Sequence, residues 1–201
     1  MKHFKTYAML CAAFLLASCA LTRPQLPEVN LPPERIIQTG YSFVPLNEKG
    51  WMIAGRDAHQ LALMKNGTHP DETFAVQATP YRLPAFKTNE EFLNLLKAGQ
   101  DKDTNSQRFN ILKYEVTADT TKTSFCARTH MMAEDRGVVK GPEKLSMMIL
   151  EAITLTCAHP KNNNIAINLV YSHRYYPGQI DPAFADKASI VLNSLEFSDF
   201  K

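Results

Sequence analysis

The chain has 201 residues, with 22 Lys and Arg against 20 Asp and Glu, and 45% hydrophobic residues. Lys2 and Lys5 fall in an N-terminal leader, so residues 19–201 carry 20 basic and 20 acidic side chains. That balance, with no basic run, argues against a nucleic-acid binder, and the composition excludes collagen, a coiled coil, a disulfide knot and wholesale disorder. The remainder is long enough for one domain with its own core.

The leader comes first. Lys2 and Lys5 form a basic n-region, and Tyr7–Ala17 is an apolar stretch. Eleven residues fall short of the roughly 20 a bilayer-spanning helix needs, but suit a signal peptide. Leu16-Ala17-Ser18-Cys19 follows: a branched residue, two small residues, then cysteine. This resembles the lipobox of bacterial lipoproteins. The resemblance implies that residues 1–18 are removed and that Cys19 becomes the acylated N-terminus (palmitate among its chains), making the membrane a partner through the anchor. Ala20, where Asp would signal inner-membrane retention in enteric bacteria, points to the periplasmic face of the outer membrane, with the inner membrane as the alternative. Cys11 is lost with the leader.

Residues 19–40 carry Pro24, Pro27, Pro32 and Pro33. Proline fixes φ and favours extended chain, so this segment is expected to be a tether. Whether it stands off the folded part or lies along it stays open.

The folded part is expected to span 41–201. Strands are predicted at 41–46, 51–56, 59–65 and 72–79, with Asp57-Ala58 and Asn66-Gly67 as turns. Thr88 and Glu91 form a capping box for a helix over 88–99, with Phe92, Leu95 and Leu96 as its apolar stripe and Gly99 as its stop. Strand patterns follow at 108–118, 123–135, 146–158 and 164–176. In the last, Ile165, Ile167, Leu169, Tyr171 and Tyr175 share one face, and Asn168, Ser172 and Arg174 the other. Asp181 and Pro182 begin a second helix over 181–195, and 194–198 closes with a short strand. Strands with two principal helices and no βαβ alternation predict an α+β fold with a mainly antiparallel sheet.

The order of these features, with Pro45…Gly50-Trp51 early and Lys187-Ala188…Val191-Leu192-Asn193-Ser194-Leu195-Glu196-Phe197 late, resembles the PsbP-like superfamily, which includes DcrB-type bacterial lipoproteins. The resemblance implies a sheet flanked by helices and a non-catalytic binding or assembly role. It carries over no functional residue.

Cys126 and Cys157 are the cysteines left to the folded part. In an oxidising periplasm two such cysteines are expected to form a disulfide, and a hairpin turning at Gly141-Pro142 places them opposite each other. Two alternatives use the same sulfurs: a zinc site with His130 and His159, and a thiol nucleophile at Cys157 with His159 as base. Zinc is disfavoured because four residues along a regular strand span ~13 Å. The same register puts Arg128, His130 and Glu151 on one face. They form either a polar ligand patch or a cross-strand charge pair on a solvated face. Tyr171, Arg174 and Tyr175 are a candidate interface, sheet packing being the alternative. No catalytic or metal-binding fingerprint and no cofactor signature occurs.

The sequence therefore points to a lipid-anchored envelope protein facing the periplasm, with a non-catalytic binding or assembly role and an envelope protein as partner. The alternative is a periplasmic enzyme or small-ligand binder using Arg128, His130 and Glu151.

Overall fold

A computed structural model of the chain describes residues 25–103, 105–122, 124–137 and 147–200. The leader, Cys19 and the expected Gly141-Pro142 turn lie outside the described residues.

The fold is α+β and its pairing is antiparallel throughout. In chain order the elements are β1 (Ile36–Gln38), β2 (Tyr41–Phe43), β3 (Met52–Arg56), β4 (Leu61–Asn66), β5 (Thr73–Arg82), α1 (Asn89–Asp103), β6 (Phe109–Ala118), β7 (Cys126–Asp135), β8 (Met148–His159), β9 (Asn162–Tyr175), α2 (Phe184–Asn193) and β10 (Glu196–Phe197). Seven strands form one sheet in the order β3-β4-β5-β9-β8-β7-β6, and β1-β2-β10 form a small second sheet. β9 leaves the β8 hairpin and pairs with β5, so the two halves of the chain meet along the middle of the large sheet.

Each face of that sheet carries one helix, and side-chain alternation decides which residues meet it. Phe184, Ala188, Val191 and Leu192 of α2 pack with Leu155, Ile167, Leu169 and Tyr171, with Trp51 buried in the same cluster. On the opposite face Phe92 of α1 packs over Ala127, Ala158 and Ala166. Three alanines in adjacent strands leave room for that aromatic ring to approach closely.

Several boundaries differ from expectation. α1 runs through Gly99 to Asp103, so Gly99 keeps a helical backbone and does not end the helix. The capping box is present in shifted form: Thr88 Oγ1 accepts from the Glu91 amide at 3.2 Å, while the Glu91 carboxylate accepts from the Lys87 amide at 2.6 Å. α2 begins at Phe184 rather than Asp181. Asp181 Oδ1 accepts from the Ala183 amide at 2.9 Å and its carbonyl from Phe184 at 3.0 Å, which makes residues 181–184 a turn preceding the helix.

From residue 27 onward the proline-rich segment lies along the domain. The Val29 amide donates to the Trp51 carbonyl at 2.9 Å, the Ile53 amide donates to the Pro27 carbonyl at 2.7 Å, and β1 pairs with β2. The folded unit thus begins earlier than residue 41. Proline is compatible with this docking because an edge segment needs amides on only one side.

Candidate functional site

Strand alternation brings four chemically capable side chains into a row on the α2 face. Glu151 of β8 stands in register with His173 of β9, Phe74 of β5 is in register with His173 on its other side, and Met132 of β7 pairs with Glu151. His130 lies two residues before Met132, diagonal to Glu151, as the sequence register placed it.

His130 Nε2 is 2.8 Å from Glu151 Oε1, and the Tyr175 hydroxyl donates to Glu151 Oε2 at 3.2 Å. Burial, reinforced by the Glu151 charge, pushes the Tyr175 phenol up to about 12, so it remains the donor at ordinary pH. Farther in, His173 is fully buried and its Nε2 is 2.8 Å from Glu72 Oε1. Its ring is stacked between Phe74 (4.1 Å between centroids) and Tyr175 (4.4 Å).

Glu72 and His173 divide their proton clearly. Burial raises the Glu72 carboxyl, but the hydrogen bond from His173 and the amides of His69 and Thr68 outweigh it and hold the group below the usual range. Burial lowers the His173 imidazole despite the nearby carboxylates. The pair is therefore a carboxylate and a neutral imidazole with its proton on Nε2. His173 Nδ1, which is buried without a hydrogen-bond partner, agrees with this: it is an acceptor there, whereas protonation would bury an unanswered donor. Gly67 permits the arrangement, since a Cβ at that position would fall 2.1 Å from the Glu72 carboxylate.

Arg128 shares the α2 face but is otherwise engaged. Its Nε donates to Asp119 Oδ2 at 2.6 Å and its Nη2 donates to the Asn193 side chain at the end of α2. Lys122 donates to the Asn193 and Leu195 carbonyls at 2.9 and 3.0 Å. Lys122 thus satisfies a carbonyl at the end of α2, and both cations lie near that end, where positive charge is favoured.

The row is thus two imidazole–carboxylate pairs. A histidine oriented by a carboxylate is one part of a general base, and His130 keeps 31% of its side-chain surface exposed. The residues in register with it are Glu115 on β6 and Ile153 on β8, neither of them a hydroxyl or thiol that His130 could activate, nor an oxyanion donor. Among the described residues no group of three or more His, Cys, Asp or Glu is placed to hold a metal ion.

The other expected sites fall as follows. Cys126 and Cys157 are register partners and form a buried disulfide. Both sulfurs are consumed, which removes the zinc and thiol-nucleophile alternatives. The interface expectation at Tyr171, Arg174 and Tyr175 needs correction. Tyr171 and Tyr175 are 1% and 2% exposed and belong to the core. Arg174 points to the opposite face, where it pairs at 3.2 Å with Asp135. Odd and even positions of one strand cannot share a surface.

Sequence reasoning missed Glu72 as the partner of His173, which lies 101 residues away. It also missed Asp135, a 1%-exposed carboxylate that receives Arg108 Nε and Nη2 at 2.8 and 2.9 Å. The Arg108 hydrogen bonds, opposed by burial and helped by the Gly137 amide and Arg174, keep Asp135 below the usual carboxylate range. No local pattern announces either pair.

No protein-family model matches the chain, and no curated protein matches it significantly. No helix among the described residues is long and apolar enough to cross a membrane.

Proposed function

We propose that this chain is an exported bacterial lipoprotein, held by acyl chains on Cys19 at the periplasmic face of the outer membrane, whose domain binds or helps assemble other envelope components without catalysing a reaction. The observation that carries this reading is the Cys126–Cys157 disulfide at the centre of the fold. Such bonds persist in oxidising compartments and are rare in reducing ones. The leader and Leu16-Ala17-Ser18-Cys19 supply the route. The PsbP-like resemblance implies a sheet flanked by helices, with which the α+β fold is consistent, and that superfamily's non-catalytic roles agree with an α2 face whose polar groups are largely engaged with one another.

Replacing Cys19 by Ser tests the anchor. The variant is expected to leave the membrane fraction and to keep its leader, and normal processing of that variant overturns the lipoprotein reading. Crosslinking in intact cells followed by recovery from membranes is expected to yield an envelope protein partner.

A second reading, a periplasmic enzyme or ligand binder using Arg128, His130 and Glu151, draws on the 2.8 Å His130–Glu151 contact. It is the weaker one, because Arg128 is held by Asp119 and Asn193. Ester or amide hydrolysis that is present in the wild type and absent in His130→Gln would favour it.

A further inference from the structure

The face opposite the polar row holds a groove of about 320 Å³ between α1 and the sheet. That volume lies at the small end of the ~300–1,000 Å³ found for ligand cavities. Its floor is made by Thr129 of β7, Thr154 and Thr156 of β8, and Asn168 of β9. Thr129 pairs in register with Thr154, and Thr156 with Asn168, so the four form one contiguous polar patch across three strands.

The hydrogen bonds in this patch are incomplete. The buried Thr156 hydroxyl donates to Asn168 Oδ1 at 3.0 Å. This turns the Asn168 Nδ2 donors away from Thr156. Among the described residues, Nδ2 of Asn168 and the hydroxyls of Thr129 and Thr154 have no protein partner, and none is a buried orphan. They are left to water or to a ligand. The walls are Leu83, Leu95 and Leu96 with the rings of Tyr81 and Tyr114 and the Gln100 side chain, and among the described residues no charged side chain lines the groove.

We propose that this groove binds a neutral saccharide. A charged ligand would lose hydration there without meeting a counter-charge among the described residues. A wholly apolar ligand would strip water from the hydroxyl and amide groups of the floor and give nothing back. A sugar ring meets both halves: its hydroxyls replace water on the threonines and Asn168, and its C–H face packs against the leucine and tyrosine walls. The proposal rests on the opposite face from the His130–Glu151 pair and does not depend on where the chain is anchored.

Saturation-transfer NMR on the full chain tests it, with N-acetylglucosamine, N,N′-diacetylchitobiose and maltose as neutral probes and glucuronate and cyclohexanol as charged and apolar comparisons. Transfer to at least one neutral sugar is expected, with a Kd that rises about tenfold in the Thr154→Val/Asn168→Leu variant, equivalent to the loss of roughly one net hydrogen bond. Thr154→Val alone, the milder change, is expected to give a smaller rise in the same direction. Ile190→Ser, on the exposed side of α2, is expected to bind as the wild type does. Absence of transfer to every neutral sugar overturns the proposal. So does equal binding by both groove variants, or a preference for glucuronate or cyclohexanol.

Discussion

The two faces of the large sheet are made by the same strands and differ in what they do with polar groups. On the α2 side, Leu155, Ile167, Leu169 and Tyr171 are almost fully buried, and the histidines and carboxylates among them answer one another. On the α1 side the helix covers the three alanines and then leaves Thr129, Thr154 and Asn168 beneath open space. Period-two alternation lets one set of strands carry both solutions. The α2 face contributes stability through apolar burial. The α1 face contributes less and keeps a cavity, which is the arrangement expected where a protein holds a ligand.

Equivalent deletions in the two helices give the largest contrast. Leu192 on α2 is fully buried, whereas Leu96 on α1 is half-buried at the groove wall. Leu192→Ala is expected to cost ~2–5 kcal/mol in urea unfolding, from lost transfer energy and the cavity left behind. Leu96→Ala is expected to cost under ~1.5 kcal/mol, because water already reaches the site. Equal costs would mean that α1 is packed as tightly as α2 and that the groove is not open in solution.

The disulfide lies on the α2 face and comes next. It joins residues 31 apart, and the chain-entropy relation gives about 3–4 kcal/mol for a loop of that length. Unfolding of Cys126→Ala/Cys157→Ala, compared with the oxidised wild type, checks this. Thiol labelling of the denatured, unreduced wild type is expected to find neither Cys126 nor Cys157 free.

The disulfide was also the part of the fold most legible in the sequence. A hairpin centred on Gly141-Pro142 aligns Cys126 with Cys157, and the observed ladder keeps that register to Asp135 and Met148. Alternation in β9 likewise separated Leu169 and Tyr171 from Asn168 and Arg174. What stayed hidden was set by pairing distant in the chain. Nothing near His173 announces Glu72, because their meeting depends on β9 crossing to β5. β1 was hidden for a different reason: its three residues sit in a proline-rich stretch whose local preference is extended chain, and only docking on β2 makes them a strand. The groove floor was readable strand by strand, since Thr129, Thr154, Thr156 and Asn168 all occupy positions opposite the apolar stripe. That they surround a space depends on where α1 stops covering the sheet, which no single strand encodes.

Acid separates the faces again, with an effect smaller than the deletions. Burial lowers the His173 imidazole, opposed by Glu72 and by the more distant Asp181 and Glu151. The unfolded chain therefore takes up this proton at a higher pH than the folded one. The unfolded state binds more protons as pH falls below about 6.5, so stability is expected to fall there. The carboxylates held low, Glu72, Asp119, Asp135 and Asp181, act later. Their stabilising contribution is present above the ordinary carboxylate range and is lost as pH falls through it and into their lowered folded values. His173→Phe keeps a flat ring between Phe74 and Tyr175 and cannot take up the proton. Its unfolding free energy is expected to be lower at pH 7, because Glu72 loses a donor, yet to change less between pH 7 and 5. A pH slope equal to that of the wild type would show that His173 is not the group responsible.

The smallest effect discriminates most sharply, because it compares two threonines on one strand. Thr156 is buried and gives its hydroxyl to Asn168, whereas Thr154, two residues earlier on the same face, bonds to no described protein group. Valine has nearly the shape of threonine, so each substitution removes little but the hydroxyl. Thr156→Val is expected to cost ~1 kcal/mol, the net value of a hydrogen bond between neutral groups. Thr154→Val is expected to fall within ~0.5 kcal/mol of the wild type, since a hydroxyl in contact with water contributes little to folding. Thermal unfolding of the two variants side by side decides it. A large cost at Thr154 would mean that its hydroxyl is engaged in holding the fold together, and the floor of the groove would then have one donor fewer to offer a ligand. A neutral Thr154→Val that nonetheless weakens sugar binding separates the two duties: β8 would carry its structural hydroxyl at 156 and its recognition hydroxyl at 154, on one face, one pleat apart.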